Sequence, residues 1–294
     1  MTDAPVTFTV DPEAHIARIR IARADRGNMI TAEMASRICE FLDEVDDNDD
    51  VKAVVISGEG DHLSTGWDVA ELWSMYSDAP GGKVKKHPSQ RARFIAQADN
   101  WWGPRGIYTR LLHCRKVTIL EAQGDCLETG LFFALCCDLV IGTETTRFAC
   151  PRWTTLAADG DLSLLIAAVG LKRAKDLMFT TTPWTGQQAL AYGLIDWVVP
   201  SADLAAKSEE IAGMCASIMR DGIVTEKYAV FASLEKMGIG HSFAATTVVA
   251  ASLSNIHFQP GEFNFLAEIR RNGESEALST SRSGLRTENG RHEA

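Results

Sequence analysis

Residues 119–152 read ILEAQGDCLETGLFFALCCDLVIGTETTRFACPR. The run 117–122 is apolar and rich in branched residues, the composition of a strand covered on both faces. A short apolar segment over 130–137 then predicts a helix, and 138–142 a further strand. A strand, a glycine-bearing turn, a short helix and a second strand make a β/α unit, and this unit sets the reading of the flanking chain.

Upstream, 51–57 (VKAVVIS) is another β-branched run that predicts a strand buried on both faces. Before it, Thr31 caps a predicted helix over 31–45, with Met34, Ile38, Phe41 and Val45 on one face. Residues 15–22 (HIARIRIA) alternate as a strand does. Between 58 and 66 three glycines mark a loop, after which Asp68 starts a helix to about residue 75. Residues 77–92, polar and rich in Gly, Pro and Lys, predict a surface loop, and a helix is expected over 92–113. Downstream of 161 the pattern turns helical, with segments near 161–168, 171–180, 186–192, 202–220, 224–237, 241–256 and 260–272. The polar end, without apolar period, is expected to be disordered. The expected organisation is a β/α core over 1–200, a helical region for oligomerisation over 201–272 and a polar tail over 273–294.

With 294 residues, 46% hydrophobic and 23% charged, the chain can bury one large core. Its formal net charge of −10 argues against nucleic acid or an anionic membrane as a partner. The seven cysteines are odd in number, form no CxxC pair and sit in apolar runs; they predict reduced, buried thiols in a cytoplasmic protein and no metal site. No apolar stretch is long enough to span a membrane, and the first residues lack the pattern of a signal peptide.

Four segments in order resemble the crotonase (enoyl-CoA hydratase/isomerase) superfamily. IARADRGNMITAEM (21–34) resembles its strand–loop–helix opening, with Asn28 in the place of the family's Asn. LSTGWDVAEL (63–72) resembles its F-x-A-G-x-D-L loop, and 119–152 its glycine-rich turn, helix, C-D strand and F-x-x-P stretch. AYGLIDWVVP (191–200) resembles the later A-x-x-x-G-L-V-x-x-V-v-P. The similarity covers roughly 15–270 and implies an α/β fold: a crotonase-type spiral of ββα repeats with a C-terminal helical region. It also implies a homotrimer or homohexamer, for which the apolar helices of 224–256 would supply contact surface.

The resemblance implies an oxyanion hole built from two main-chain N–H groups, at Trp67 after Gly66 and at Thr129 in the glycine-rich turn. Unpaired N–H groups where a turn enters a helix, aided by the helix dipole, stabilise an anion that develops in the transition state. The family's Gly-Gly-Gly is here Glu128-Thr129-Gly130, which puts the geometry at Thr129 in question, since glycine permits a closer approach and a wider φ range. The two glutamates that hydratases of the family use fall on Phe132 and Arg152. Neither is a general base at neutral pH, so syn-hydration by the usual route is not expected.

Asp161, following Gly160, stands where family members place a catalytic aspartate. The Trp153–Asp161 spacing of eight resembles the 4-chlorobenzoyl-CoA dehalogenases, and the Gly-Asp pair resembles the 6-oxocamphor hydrolases. Asp161 is therefore a candidate nucleophile or base, or else a helix N-cap. Asp159 takes that role if the register slips by two. Glu128 is a further candidate, or an exposed loop carboxylate. Arg152 steers a carboxylate or leaving group, or forms a structural ion pair. Trp73, Trp101, Trp102, Phe132 and Trp153 are candidates for lining an acyl pocket suited to a cyclic or aromatic group, or are core and interface packing.

No permanently bound cofactor is expected; coenzyme A enters as part of an acyl-CoA substrate. The family place for the adenine ring is at the backbone of Ser64, Thr65 and Gly66, and Arg23 and Arg26 flank the loop that approaches the phosphates, or are solvated charges. His62 and His113 are expected to be packing or surface residues rather than catalysts. The expectation is an acyl-CoA hydrolase or lyase forming an enolate or tetrahedral anion, against two alternatives: a CoA-independent β-diketone hydrolase and a non-catalytic binding protein.

Overall fold

The computed structural model describes residues 4–68, 101–103, 105–153, 162–239 and 259–283. In chain order the elements are β1 (Val6–Asp11), β2 (Ile16–Ile21), α1 (Ala32–Asp47), β3 (Ala53–Gly58), α2 (Ile107–Leu112), β4 (Val117–Ala122), β5 (Asp125–Leu127), α3 (Thr129–Cys136), β6 (Leu139–Thr143) and β7 (Arg147–Ala149). There follow α4 (Leu162–Val169), α5 (Leu171–Thr180), β8 (Trp184–Thr185), α6 (Gly186–Tyr192), β9 (Trp197–Val199), α7 (Leu204–Ala216), α8 (Arg220–Lys236), α9 (Phe265–Asn272) and α10 (Glu274–Ser283).

The large sheet has the order β1-β2-β3-β4-β6-β9, and a small sheet has the order β5-β7-β8. Only β1 runs antiparallel in the large sheet. Each consecutive pair, β4–β5 and then β6–β7, gives one strand to each sheet, so the chain advances as a spiral. The reason lies in the alternation along the buried strands. In β3, Val54 and Ile56 face one core together with Met34, Ile38 and Leu42 of α1, while Ala53 and Val55 face a second core with Leu204, Ile211 and Cys215 of α7. Thr31 caps α1 as its sequence predicts, its Oγ1 accepting the Met34 N–H at 3.1 Å.

An ion pair whose lysine is buried and whose carboxylate stays partly exposed ties α8 to this frame. Lys227 Nζ lies 2.6 Å from both carboxylate oxygens of Asp138, and Asp138 Oδ2 also accepts the Thr118 N–H and hydroxyl at 2.8 and 3.0 Å. The buried Lys227 charge is compensated, which is the condition for tolerating it inside. All seven cysteines are free thiols; five are buried, and Cys39 and Cys137 are half-buried. Burial pushes the Cys114 thiol up to about 12, so it stays protonated and inert. Among the described residues no helix is long and apolar enough to cross a membrane.

Three expectations change. The tail from 273 contains the helix α10, because Ala277 buries against Phe265 and Ile269 and gives this polar segment a small core of its own. The strand β1 was missed, although VTFTVD alternates; its Phe8 stacks on Phe41 at 4.7 Å. Of the helix expected over 92–113, the described part is helical only over Ile107–Leu112, where Gly106 ends a turn through residues 101–103. The segments expected as a helix from 69, a loop over 77–92, a helix over 241–256 and the end beyond 283 lie outside the described residues.

Glu121 projects from β4 into the layer beneath α7, where the Ser208 hydroxyl donates to it. Burial raises its carboxyl above the ordinary range, partly offset by that hydrogen bond. A raised folded pKa favours the protonated form, so the stability it supports is complete below the unfolded value of about 4.3 and is lost as pH rises through the folded value. Glu121→Gln keeps an acceptor for Ser208 and removes the charge. It is expected to raise the melting temperature by roughly a few degrees at pH 7 and to match wild type near pH 4, read from thermal melts at both pH values.

Candidate active site

Two loops leave the C-terminal ends of β3 and β4 and meet. The first, 58–68, is laced to the β2–α1 connection by Asn28, which is fully buried with φ +54, a conformation Asn tolerates. Its Nδ2 donates to the carbonyls of Glu59 and His62 at 2.9 and 2.7 Å, and its Oδ1 accepts the Arg23 N–H at 2.9 Å. Asn28 thus folds the loop rather than opening α1, which begins four residues later. His62 packs structurally, its Nδ1 taking the Asp125 N–H at 3.1 Å.

Ser64 pairs with Cys126: its N–H donates to Asp125 O, and its carbonyl accepts the Leu127 N–H at 2.9 Å. Trp67 pairs with Ile30, whose N–H donates to Gly66 O and whose carbonyl accepts the Asp68 N–H, each at 2.9 Å. In a parallel bridge the central residue turns its own amide away from the partner strand. The Trp67 N–H therefore faces away from Ile30, and no acceptor among the described residues takes it.

The second loop enters α3. The Glu128 carbonyl accepts the first intrahelical bond, from the Phe132 N–H at 2.8 Å, so the amides of Thr129, Gly130 and Leu131 have no acceptor within the helix. The sequence put the cost of the lost glycines at Thr129. The structure puts it at Glu128, which has φ +49 and ψ −98, a strained region for a side-chain-bearing residue, while Thr129 is already helical.

Two glycines let the loops touch. A Cβ on Gly130 would stand 3.1 Å from both the Ser64 carbonyl oxygen and Cys126 Cβ. A Cβ on Gly66, at φ +114, would collide with the Glu128 carboxylate and lie 3.1 Å from Arg152 Nη2. Glu128 and Arg152 form an ion pair, with side chains 11% and 14% exposed. Glu128 is therefore not an exposed loop carboxylate. Its pair with Arg152 lies against the residue preceding the Trp67 amide.

An aromatic wall stands over these loops. The Trp67 ring meets Trp101 edge-on at 4.9 Å, and Trp102 and Tyr108 each contact Phe132, at 5.3 and 5.2 Å. Trp101 is buried, and its indole N–H has no hydrogen-bond partner among the described residues. Trp153 is buried next in sequence to Arg152. Sequence reasoning missed Tyr108: its hydroxyl takes the Trp67 indole N–H at 3.1 Å and reaches Thr129 Oγ1 at 3.2 Å. The only signal was a tyrosine on the apolar face of α2.

The residues expected around coenzyme A are placed as follows. Arg23 turns inward, Nη1 lying 2.7 Å from the buried Asp68 carboxylate and donating to Met29 O at 3.0 Å. Arg26 is more exposed, 3.9 Å from the same carboxylate. The Ser64 carbonyl is engaged by Leu127, whereas that of Thr65 accepts no hydrogen bond among the described residues. Asp161, Asp159 and Trp73 lie outside the described residues. A cavity of 260 Å³ lies at the opposite, N-terminal ends of β3 and β4, lined by Lys52, Arg115, Lys116 and Arg220. Those cations are tied to Ala216 O, Asp46, Asn48 O and Asp50, respectively. It is remote from the loop junction.

The sequence profile of the enoyl-CoA hydratase/isomerase family matches residues 11–271. The chain is 26% identical over 213 residues to 4-chlorobenzoyl coenzyme A dehalogenase-2 of Arthrobacter sp, covering 71% of this chain and 72% of that protein. Among solved structures it is similar to an enoyl-CoA hydratase/isomerase from Xanthobacter autotrophicus Py2, with a TM-score of 0.77 and 25% identity over 96% of this chain and 98% of that one. An enoyl-CoA hydratase from Mycobacterium smegmatis shares the fold, with a TM-score of 0.80 at 24% identity, covering 95% and 94% of the two chains. The spiral is thus the crotonase fold.

Gly66→Ala forces a side chain into a left-handed conformation and into the Glu128–Arg152 pair. It is expected to lower unfolding free energy by about 2 kcal/mol in urea titration. Gly213→Ala, in α7 where a Cβ meets nothing within 4 Å, is the control expected to be neutral or slightly stabilising.

Proposed function

The chain belongs to the enoyl-CoA hydratase/isomerase family, and from that premise we propose that it is an acyl-CoA enzyme that holds a developing oxyanion on the N–H groups of Trp67 and Thr129. The observation that most supports this reading is the pair of loops drawn together at Gly66 and Gly130, with the Trp67 amide unpaired among the described residues and the Thr129 amide at the mouth of α3. Such donors act on charge as it forms and require no reorganisation. The anion is an enolate or a tetrahedral intermediate of the thioester carbonyl, and Asp161 is the nucleophile or base.

Phe132 and Arg152 leave the two hydratase glutamate positions without an acid, which favours hydrolytic or lyase chemistry over syn-hydration. The wall of Trp67, Trp101, Trp102 and Phe132 suits a rigid cyclic or aromatic acyl group. The Trp101 indole N–H, without a hydrogen-bond partner among the described residues, favours an acyl group that carries a hydrogen-bond acceptor. Coenzyme A meets the backbone near Thr65 and Gly66, with Arg26 the nearer arginine for phosphate. The working assembly is a homotrimer or homohexamer.

Arg152 has a definite electrostatic part. A bare carboxylate within roughly 5 Å of an anion opposes it by roughly 3 kcal/mol at an effective dielectric near 20, and Glu128 without Arg152 would be such a charge beside the loop junction. That is about what one oxyanion donor contributes. Arg152 cancels this opposition by pairing with Glu128.

Two measurements test this reading. Against a panel of aromatic and alicyclic acyl-CoA thioesters, wild type is expected to turn over at least one member, and Asp161→Asn to turn it over about a hundredfold more slowly with unchanged binding by calorimetry. Turnover of a cyclic β-diketone with no thioester binding would replace this reading with the CoA-independent one, and no turnover of either would leave a binding protein. In the same assay Arg152→Met is expected to lose on the order of a hundredfold, and Arg152→Met with Glu128→Gln to recover much of it, because the second change removes the exposed charge. A double variant as slow as the single one would contradict the neutralising role.

A further inference from the structure

We propose that Tyr108 is a positioning residue that locks the two amide donors to one another through their own side chains. This inference rests on the oxyanion reading above. The two proposed donors lie on separate loops 62 positions apart in sequence, and a site of this kind works only if its donors are held within about 0.5 Å of the productive geometry. Main-chain bridges fix each loop to its neighbours, Trp67 to Ile30 and Ser64 to Cys126. The Tyr108 hydroxyl adds a direct tie between residues 67 and 129.

The geometry gives the tie a direction, from Trp67 through Tyr108 to Thr129. An indole N–H can only donate, so Trp67 Nε1 donates to Tyr108 Oη at 3.1 Å. The Tyr108 proton then goes to Thr129 Oγ1 at 3.2 Å. All three residues are buried, Tyr108 at 1% exposure and Thr129 at 0%. The tyrosine ring cannot swing away: Trp102 lies 4.6 Å from it, Phe132 5.2 Å and Phe133 6.0 Å, centroid to centroid. Buried hydroxyls in a low-dielectric setting are costly to leave unpaired, which keeps the relay closed.

The tie explains the threonine. A glycine at 129 would offer no side-chain oxygen, and the Tyr108 hydroxyl would have no acceptor at that point. Thr129 is then a substitute fastening for a looser turn, not a decayed glycine. The conformational cost of losing the glycines is carried one residue earlier, at Glu128.

The test uses benzoyl-CoA labelled with carbon-13 at the thioester carbonyl, a probe without an α-hydrogen, bound to the full-length protein and read by isotope-edited infrared difference spectroscopy. Bound to wild type, the carbonyl stretch is expected to move to lower frequency than in water as the two amides polarise it. Tyr108→Phe removes both links and Thr129→Val removes one, each with almost no change in volume; both are expected to lose roughly half of that shift, with dissociation constants within about threefold of wild type. Thr129→Ser retains the hydroxyl and is expected to retain the shift. Either Tyr108→Phe or Thr129→Val suffices should the other fail to fold. A full wild-type shift in both variants overturns the relay and leaves the oxyanion site standing. A wild-type carbonyl with no shift overturns the oxyanion site, and the relay with it.

Discussion

Two turns of main chain can serve one oxygen only where their backbones come close enough to touch, and here that contact is made at Gly66 and Gly130. Each stands where a single added carbon would meet the other loop: Gly130 against the Ser64 carbonyl, Gly66 against the Glu128 carboxylate. The rest of the fold serves this approach. Parallel strands β3 and β4 release their loops at the same end of the sheet, and the spiral carries β5 back across it so that Cys126 can pair with Ser64. The buried alternation of β3, with a core on each face, makes that end of the sheet rigid.

Charge at the junction follows from the same closeness. A carboxylate beside two amides would cancel what they offer an anion, and Arg152 meets it there. The resemblance to the family puts the arginine at the place of one hydratase glutamate and a phenylalanine at the place of the other. We propose that the scaffold keeps the family's main-chain geometry while its side-chain acids differ. On that reading the reaction differs from hydration although the way of holding the thioester does not.

Much of this was legible in the chain. The β-branched run of β3 announced a strand covered twice, the Thr31 cap and apolar spacing of α1 were readable locally, and the order of four short motifs carried the fold. What escaped depended on contacts between distant segments. Asn28 was placed only by its motif in the strand–loop–helix opening, but its side-chain amide donates to carbonyls some thirty residues away, at Glu59 and His62. Glu128 looked like a surface carboxylate because nothing local shows that Arg152 closes over it. Tyr108 went unread because its partners, Trp67 and Thr129, come from other elements. The helix α10 escaped because its polar composition hides a single buried alanine, Ala277, whose partner surface lies on α9. Local propensity and period cannot report pairings of this kind.

The account is tested most directly by a crystal structure of the protein with a non-reactive aromatic acyl-CoA thioester bound. It predicts the thioester oxygen within about 2.7–3.1 Å of both the Trp67 and Thr129 main-chain nitrogens. A thioester oxygen seated elsewhere, or either amide capped by a protein atom in that complex, would contradict it.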